Sequence, residues 1–246
     1  MTRKEKGMKF SVCIPMYNES SIIAETAETL SAFMSERFGE YEILFSDDGS
    51  TDGSADIVRA LSLPNVRVVG YHQNRGKGSA VREAMLAADG DVIMFTDSDL
   101  AYGTGVIVEI ARRMDAANAP HVLVGSRNLS ADGYEGYTFS RKLASKLYIK
   151  LLSAVGGLRV TDSQCGCKAF SKEAARAIFS RAEVNGFAFD FEVLLLAEKL
   201  GLSVGEIPVK VINHRASKVR LIADATRMLK EVSAIKKRVK NAHVVK

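Results

Sequence analysis

Short apolar runs alternate with helix-like segments through the first hundred residues of this 246-residue chain. The apolar runs have the length of strands and cover residues 10–14, 41–45, 66–71 and 92–96. The segments between them carry apolar residues at helical spacing, and Ser20 or Ser21 is the expected cap of the first, which extends to about residue 37. Strands buried on both faces read as continuous apolar runs, because helices cover both faces of their sheet. The alternation therefore predicts an α/β fold with a mostly parallel, Rossmann-like sheet flanked by helices.

Beyond residue 99 the pattern is looser, but it does not indicate a second domain. Helical patterns cover residues 106–114, 140–155 and 187–200, and strand-like runs cover residues 121–124, 168–170 and 203–211. In the segment at residues 140–155, leucines repeat every four residues beside a stripe of lysines. We therefore expect one domain over residues 1–215, followed by a basic amphipathic helix or tail over residues 216–246.

Charge is unequally distributed along the chain and limits its partners. Residues 1–120 contain 12 Lys and Arg against 18 Asp and Glu, whereas residues 121–246 contain 22 against 11. The acidic half suits bound cations, and the basic half suits phosphates or an anionic membrane surface. No helix-turn-helix or RNP signature accompanies the basic half, so we expect no nucleic-acid partner. Two solvated faces of opposite charge would give the same composition.

Cysteine usage and the length of the apolar runs bear on the compartment. Cys13, Cys165 and Cys167 lack the number and spacing of a disulfide framework or a zinc knuckle, and reduced thiols are typical of cytoplasmic proteins. No run approaches the ~20 apolar residues of a transmembrane helix. We expect a cytoplasmic protein with peripheral contact at the inner face of the cell membrane. The same amphipathic segments would otherwise pack on the core or on a second subunit of a homodimer.

Polar clusters follow three of the predicted strands at their carboxyl ends. They are Pro15 to Glu19, Asp47 to Ser50, and Asp97 to Asp99. Ligands of open α/β sheets bind at that edge. One acidic turn would be an ordinary turn or helix cap, but three at one edge of one sheet indicate a binding site.

Asp97-Ser98-Asp99 is the cluster that suggests a metal. Side chains two residues apart in extended chain point the same way, so the two carboxylates would repel each other unless a cation lies between them. Mg²⁺ and Mn²⁺ prefer such oxygen ligands and can bridge diphosphate oxygens. The alternative interpretation is a strand-end turn that caps a helix beginning near Thr104.

The complete series of motifs resembles the family 2 glycosyltransferases, which have the GT-A fold. Within them it is similar to the polyprenyl-phosphate sugar synthases, which are the dolichyl-phosphate mannosyl- and glucosyltransferases. The resemblance spans roughly residues 9–220. It rests on Pro15-x-Tyr17-Asn18-Glu19, Asp47-Asp48-Gly49-Ser50-Thr51-Asp52, Asn74-x-Gly76-Lys77-Gly78, Asp97-x-Asp99, Gly125-Ser126-Arg127, Asp162-x-Gln164-Cys165-Gly166-x-Lys168-x-Phe170, Gly186-Phe187-x-Phe189-Asp190-x-Glu192 and Arg215-x-Ser217-Lys218.

The resemblance implies a metal-dependent, inverting transfer of a hexose from a nucleotide-sugar to a polyprenyl or dolichyl phosphate. It implies that Asp97 and Asp99 hold Mg²⁺ or Mn²⁺ and that Asp99, Asp162 and Arg127 serve catalysis. The implied nucleotide-sugar site comprises Pro15, Tyr17, Glu19, Asp47, Asp48, Asp97 and Ser98. The implied acceptor-phosphate site comprises Arg141, Ser145, Arg215 and Lys218, and arginine suits it because its planar fork binds phosphate in a bidentate manner.

One departure from the family pattern bears on the donor. Mannosyl synthases often carry a glutamine two residues after the second aspartate as a further metal ligand, whereas this chain has Ala101 there. The difference favours UDP-glucose over GDP-mannose. Asp162 matches an acidic residue near the reacting sugar in related glucosyl synthases. It would orient the sugar, act as a base, or be a turn carboxylate before a strand.

Two further motifs have structural as well as functional interpretations. Gly76-Lys77-Gly78-Ser79 lacks the earlier glycine of a Walker A loop, so we interpret it as the start of a helix with Lys77 in solvent. Asp190 and Glu192 would either bind the sugar or be favourable charges at a helix N-terminus.

Two alternative functions remain open on the sequence. The first is transfer by the same fold to a soluble or glycan hydroxyl, which would need a base. The second is a non-catalytic, membrane-surface protein that binds nucleotide-sugars.

Overall fold

The computed structural model describes residues 7–213 and 231–239. Seven strands form one sheet in the order β3-β2-β1-β4-β6-β5-β7. Strand β6 is antiparallel to both of its neighbours, and the other pairs are parallel. The strands are β1 Phe10–Met16, β2 Tyr41–Asp48, β3 Val66–Tyr71, β4 Val92–Phe95, β5 Val122–Ser126, β6 Lys168–Ser171 and β7 Val204–Pro208. This confirms the predicted mostly parallel sheet.

Seven α-helices flank the sheet within the described residues, and residues 231–239 are also helical. They are α1 Ile23–Arg37, α2 Ser54–Ala60, α3 Lys77–Ala87, α4 Gly105–Met114, α5 Phe139–Gly156, α6 Lys172–Phe179 and α7 Phe189–Lys199. None of them is long and apolar enough to span a membrane.

Two hydrophobic cores lie on opposite faces of the sheet. Alternate residues of β1 enter different cores: Cys13 joins the core under α3, α6 and α7, whereas Val12 and Ile14 join the core under α1 and α4. Both faces of the central strands are thus covered, which explains why their sequences read as uninterrupted apolar runs.

The described part of the C-terminal tail packs on the first of these cores. Val232, Ile235 and Val239 are nearly or fully buried there. This stretch therefore packs on the core, which is one of the alternatives given for the amphipathic segments. The rest of the predicted tail lies outside the described residues.

Candidate active site

The three polar clusters meet at one edge of the sheet, as the sequence predicts. Strand β1 lies between β2 and β4, Met16 pairs with Asp47, and Cys13 pairs with Phe95 at the end of β4. Asp97 follows two residues later. The carboxyl ends of β1, β2 and β4 thus bring the candidate residues to neighbouring positions.

The first two clusters are held together by four hydrogen bonds between their loops. Asn18, at φ 52°, is in the left-handed region, which asparagine tolerates better than most residues. The bonds are Asn18 N to Ser50 Oγ, Glu19 N to Ser54 Oγ, Ser20 N to Asp52 Oδ2 and Thr51 N to Asn18 Oδ1, each 2.9 Å. Pro15 is buried in β1, Glu19 and Asp47 are half-buried, and Tyr17 is exposed.

Asp48 is buried and uses its carboxylate inside the protein. It accepts hydrogen bonds from the Tyr71 hydroxyl at 2.7 Å, the Asn74 amide side chain at 2.9 Å and the Arg75 amide at 2.9 Å. The Gly76 amide also donates to it, at 2.9 Å. Asp48 therefore fixes the loop that leads into α3, while its predicted contact with the nucleotide stays a prediction.

Lys77 directly contacts Asp97, one of the two candidate metal ligands. Its Nζ lies 2.5 Å from Asp97 Oδ1, and both side chains are partly exposed. The expectation that Lys77 is a solvated residue is therefore wrong. Lys77 is the first residue of α3, which begins at this edge of the sheet, whereas sequence spacing alone gave no sign that residues 20 positions apart would pair.

Asp99 is the second acidic residue of the candidate metal site. Its Oδ1 accepts from the Ala101 amide at 3.1 Å. Burial, followed by the neighbouring charge of Asp97, raises the pKa of the Asp99 carboxyl above its usual value. Between them, Ser98 is nearly buried, and its carbonyl accepts from the Thr26 hydroxyl at 2.7 Å.

The donor set of Asp97 and Asp99 fits a divalent cation. No group of three or more His, Cys, Asp or Glu side chains that could hold a metal occurs within residues 7–213 and 231–239. Mg²⁺ is commonly bound by one or two carboxylates together with substrate phosphates, so two aspartates are sufficient for such a site. A cation would also relieve the repulsion that raises the Asp99 pKa.

Arg127 and Asp162 form a closed ion pair. Asp162, which is 0% exposed, accepts from Arg127 Nε at 2.7 Å, from Arg127 Nη2 at 2.9 Å and from the Arg127 amide at 3.1 Å. Bidentate pairing fixes the guanidinium plane. Both carboxylate oxygens are engaged by Arg127, so in this arrangement Asp162 orients Arg127. The predicted role of Asp162 at the reacting sugar stays a prediction.

The predicted acceptor-phosphate residues are only partly described. Ser145 is half-buried on α5, whereas the Arg141 side chain, Arg215 and Lys218 lie outside the described residues. Sequence reasoning missed Tyr134, a buried ring with Arg127 Cζ at 5.4 Å, Lys146 Nζ at 5.5 Å and Lys142 Nζ at 6.0 Å from its centre. Three cationic groups therefore converge beside α5.

The two acidic residues Asp190 and Glu192 have different partners. Glu192 is buried and accepts from the Glu183 and Val184 amides, and Arg238 pairs with it, so its contacts are structural. Asp190 is paired with Lys168, a buried lysine that belongs to one of the family motifs but to which the sequence analysis gave no role.

The chain is similar to a large known family and to several of its members. The family profile that matches residues 11–179 is that of glycosyl transferase family 2. The dolichyl-phosphate beta-glucosyltransferase ALG5C of Trichomonas vaginalis is 31% identical over 219 residues, which cover 85% of this chain and 65% of the relative. The dolichyl-phosphate beta-glucosyltransferase of Drosophila melanogaster is 30% identical over 227 residues, covering 87% and 70%. The chain thus spans about two thirds of the length of these relatives.

Solved structures share the fold at lower identity. Glucosyl-3-phosphoglycerate synthase from Mycobacterium tuberculosis, in complex with Mn²⁺, UDP and glucosyl-3-phosphoglycerate, matches with a TM-score of 0.71 at 21% identity, covering 97% of this chain and 82% of that one. Mannosyl-3-phosphoglycerate synthase from Rubrobacter xylanophilus matches with a TM-score of 0.68 at 16% identity, covering 97% and 77%. The fold is therefore GT-A, as the motif series implies.

Proposed function

This chain belongs to glycosyl transferase family 2, and on that premise we propose that it transfers glucose from UDP-glucose to a polyprenyl phosphate of the dolichyl type. It is a glycosyltransferase. The observation that carries the proposal is the Asp97–Asp99 pair beside Lys77 at the carboxyl edge of the sheet. Support for the acceptor comes from the relatives named dolichyl-phosphate beta-glucosyltransferases, at about 30% identity over most of this chain.

The donor proposal has two independent supports. Ala101 takes the place of the glutamine that often completes the metal shell of mannosyl synthases. The similar solved synthase binds UDP with Mn²⁺, and a further complex of it contains UDP-glucose. UDP-glucose is therefore favoured over GDP-mannose, and Mn²⁺ or Mg²⁺ is the proposed metal.

In the proposed reaction, the chain would hold a cation at two aspartates and add the positive charge of one lysine beside them. Asp97 and Asp99 would hold the divalent cation, which when bound neutralises charge on the leaving diphosphate. Lys77, at the first position of α3, adds an ammonium group 2.5 Å from Asp97. Fixed charges of this kind favour the transition state because they need little reorganisation while charge develops.

A phosphate acceptor also agrees with the state of Asp162. A hydroxyl acceptor needs a base to remove its proton, yet the carboxylate of Asp162 is buried and held by Arg127. A polyprenyl phosphate is already anionic near neutral pH, so its oxygen needs little help from a base. Attack from the side opposite the nucleotide would invert the anomeric configuration.

Helix α5 offers a surface for the membrane in which such an acceptor resides. Phe139, Leu143 and Leu147, four residues apart, are 82%, 57% and 66% exposed, and Lys146 and Lys150 are exposed beside them. An apolar stripe flanked by lysines suits an anionic membrane interface. We propose peripheral contact at the inner face of the cell membrane through this helix. Lysines beside the stripe favour a membrane over a homodimer contact.

The experiment that tests the proposal is a transfer assay with a panel of donors. UDP-glucose, GDP-mannose and UDP-GlcNAc, each radiolabelled, are incubated with polyprenyl phosphate in vesicles and with Mn²⁺ or Mg²⁺. Label from UDP-glucose is expected in the lipid fraction. A predominance of label from GDP-mannose would contradict the donor assignment, and no labelled lipid with any donor would contradict the function.

A further inference from the structure

A buried ion pair lies next to the candidate metal site and has no part in the transfer as proposed. Lys168, which begins β6, is 0% exposed, and Asp190, in the first turn of α7, is nearly buried. The Lys168 ammonium donates to Asp190 Oδ1 at 2.5 Å and to the Cys165 carbonyl oxygen at 2.7 Å. It also lies 5.6 Å from the centre of the Phe95 ring, at the end of β4. Three elements of the fold thus meet at one ammonium group.

The Cys165 carbonyl belongs to the segment that touches Asp97. A Cβ added to Gly166 would lie 2.2 Å from Asp97 Oδ2, so the Gly166 backbone is in direct contact with this carboxylate. The Gly166 amide also donates to the Tyr102 hydroxyl at 3.3 Å. Lys168 therefore fixes the carbonyl group one residue before the glycine that contacts Asp97.

The same pair is coupled to the site through charge. Lys77 and Asp97 both interact electrostatically with Asp190, in addition to the direct contact of Asp190 with Lys168. Each pair joins a lysine to an aspartate, Lys168 to Asp190 and Lys77 to Asp97. Lys168 and Asp190 are buried, where electrostatic interactions are stronger than in water, whereas Lys77 and Asp97 are partly exposed.

We propose that Lys168 is a positioning residue that holds the backbone of Cys165 and Gly166, and through it the Asp97 carboxylate, in place for a divalent cation. The proposal rests on the function proposed above only in taking Asp97 as a metal ligand. Groups that orient a metal ligand from outside commonly change metal affinity by about 10–100-fold. Stability alone is a weak reason to bury the pair, because apolar residues of similar volume often stabilise a core equally well.

The test measures Mn²⁺ binding in the presence of UDP, by the electron paramagnetic resonance signal of free Mn²⁺, and involves no sugar transfer. Wild type is compared with K168M/D190L, because removing Lys168 alone would leave Asp190 buried without its partner. The double variant is expected to unfold cooperatively near the wild-type temperature and to have a Mn²⁺ dissociation constant about 10-fold higher or more. An unchanged dissociation constant in the folded double variant overturns the proposal.

D190N provides a second route if the double variant does not fold. It keeps the shape of the side chain but removes the charge that anchors Lys168. The proposal predicts weaker Mn²⁺ binding in D190N as well, by several-fold, and an unchanged dissociation constant in D190N overturns it.

R176M is the matched structural control. The Arg176 guanidinium donates to the carbonyl oxygens of Leu86 and Ala88 at the C-terminal end of α3, away from Lys77 at its start. Its loss removes a cation–carbonyl anchor without touching the segment around Gly166. R176M is expected to unfold at a lower temperature with unchanged Mn²⁺ binding. Equal weakening of Mn²⁺ binding in R176M and K168M/D190L would attribute the effect to general destabilisation and overturn the proposal.

The two proposals fail in different ways. Wild type that binds Mn²⁺ with UDP in a Lys168-dependent manner, yet transfers no glucose, keeps the positioning role and contradicts the proposed function. Wild type that transfers glucose, with Mn²⁺ binding unaffected in K168M/D190L, keeps the function and contradicts the positioning role.

Discussion

At the scale of single residues, Asp48 and Asp97 occupy similar acidic motifs but have opposite surroundings. Asp48 is buried and accepts from the Tyr71 hydroxyl of β3 and from three donor groups of the loop before α3. Asp97 is partly exposed and pairs with one lysine. The first carboxylate therefore contributes to stability, whereas the second is available to a cation.

Substitution of these two residues should separate stability from activity. We expect D48A to lower the free energy of unfolding by about 3 kcal/mol, because it leaves buried amide donors without an acceptor. D97N should change that free energy little and reduce glucose transfer by about 100-fold or more. Urea unfolding and the transfer assay measure the two effects. A stable but inactive D48A variant would instead favour a direct contact of Asp48 with the donor.

Lys77 gives a second prediction at this scale, and Lys172 is its matched control. Both lysines begin a helix and pair with an aspartate, but Lys172 pairs with exposed Asp89 at the opposite end of the sheet. K77A is expected to reduce the turnover rate by about 100-fold, and K172A should leave it near the wild-type value. Equal rates for K77A and wild type would show that the ammonium group takes no part in transfer.

The sequence predicts which residues lie at the site, but it does not predict which of them pair. Asp97, Asp99, Tyr17, Glu19 and Asp47 could be assigned to one edge because strand ends of a parallel sheet coincide. The partners Lys77–Asp97, Arg127–Asp162 and Lys168–Asp190 lie 20, 35 and 22 positions apart, and no local pattern brings them together.

At the scale of secondary-structure elements, β1 to β4 could be predicted from their apolar runs, but other features could not. The direction of β6 depends on its neighbours, and side-chain periodicity is the same in parallel and antiparallel strands. Helix α6 was missed although Ser171 caps it by accepting from the Ala174 amide. The predicted cap of α1 is wrong, because Ile22 occupies the N-cap position and no side chain caps the helix.

Helix α5 carries the prediction that belongs to this scale. L143D/L147D is expected to weaken binding to vesicles that contain anionic lipid, since it places charge in the exposed apolar stripe. R113E, on α4, is the control because it also lowers the net charge by two and replaces an exposed side chain. Flotation of the protein with vesicles provides the measurement. Similar losses in both variants would indicate a general charge effect rather than docking by α5.

At the scale of the whole molecule, the acidic half and the basic half of the sequence meet in one fold. The acidic strand ends supply Asp97 and Asp99, and the second half supplies Arg127 and the lysines around Tyr134. This arrangement suits a reaction in which a diphosphate leaves while another phosphate attacks, because both anions need nearby positive charge. The sequence showed the opposite net charges of the two halves, but it did not predict that cationic groups would converge on the Tyr134 ring.

Removal of the metal is the corresponding prediction for the intact protein. EDTA is expected to abolish glucose transfer, and Mn²⁺ or Mg²⁺ added in excess should restore it, because the two aspartates then lack the cation that balances the leaving diphosphate. The fold should persist in EDTA, since both cores are apolar and neither includes Asp97 or Asp99. Full activity in EDTA would exclude a metal-dependent transfer.

The most direct measurement compares two lipids of identical chain length as acceptors for glucose from UDP-glucose, a polyprenyl phosphate and the corresponding polyprenol. The two differ only in the group that attacks the sugar. We predict glucosylated lipid with the phosphate and none above background with the alcohol, because the phosphate oxygen needs no base and Asp162 is held by Arg127. Transfer to the alcohol at an equal or higher rate would contradict a phosphate acceptor and favour a hydroxyl acceptor instead.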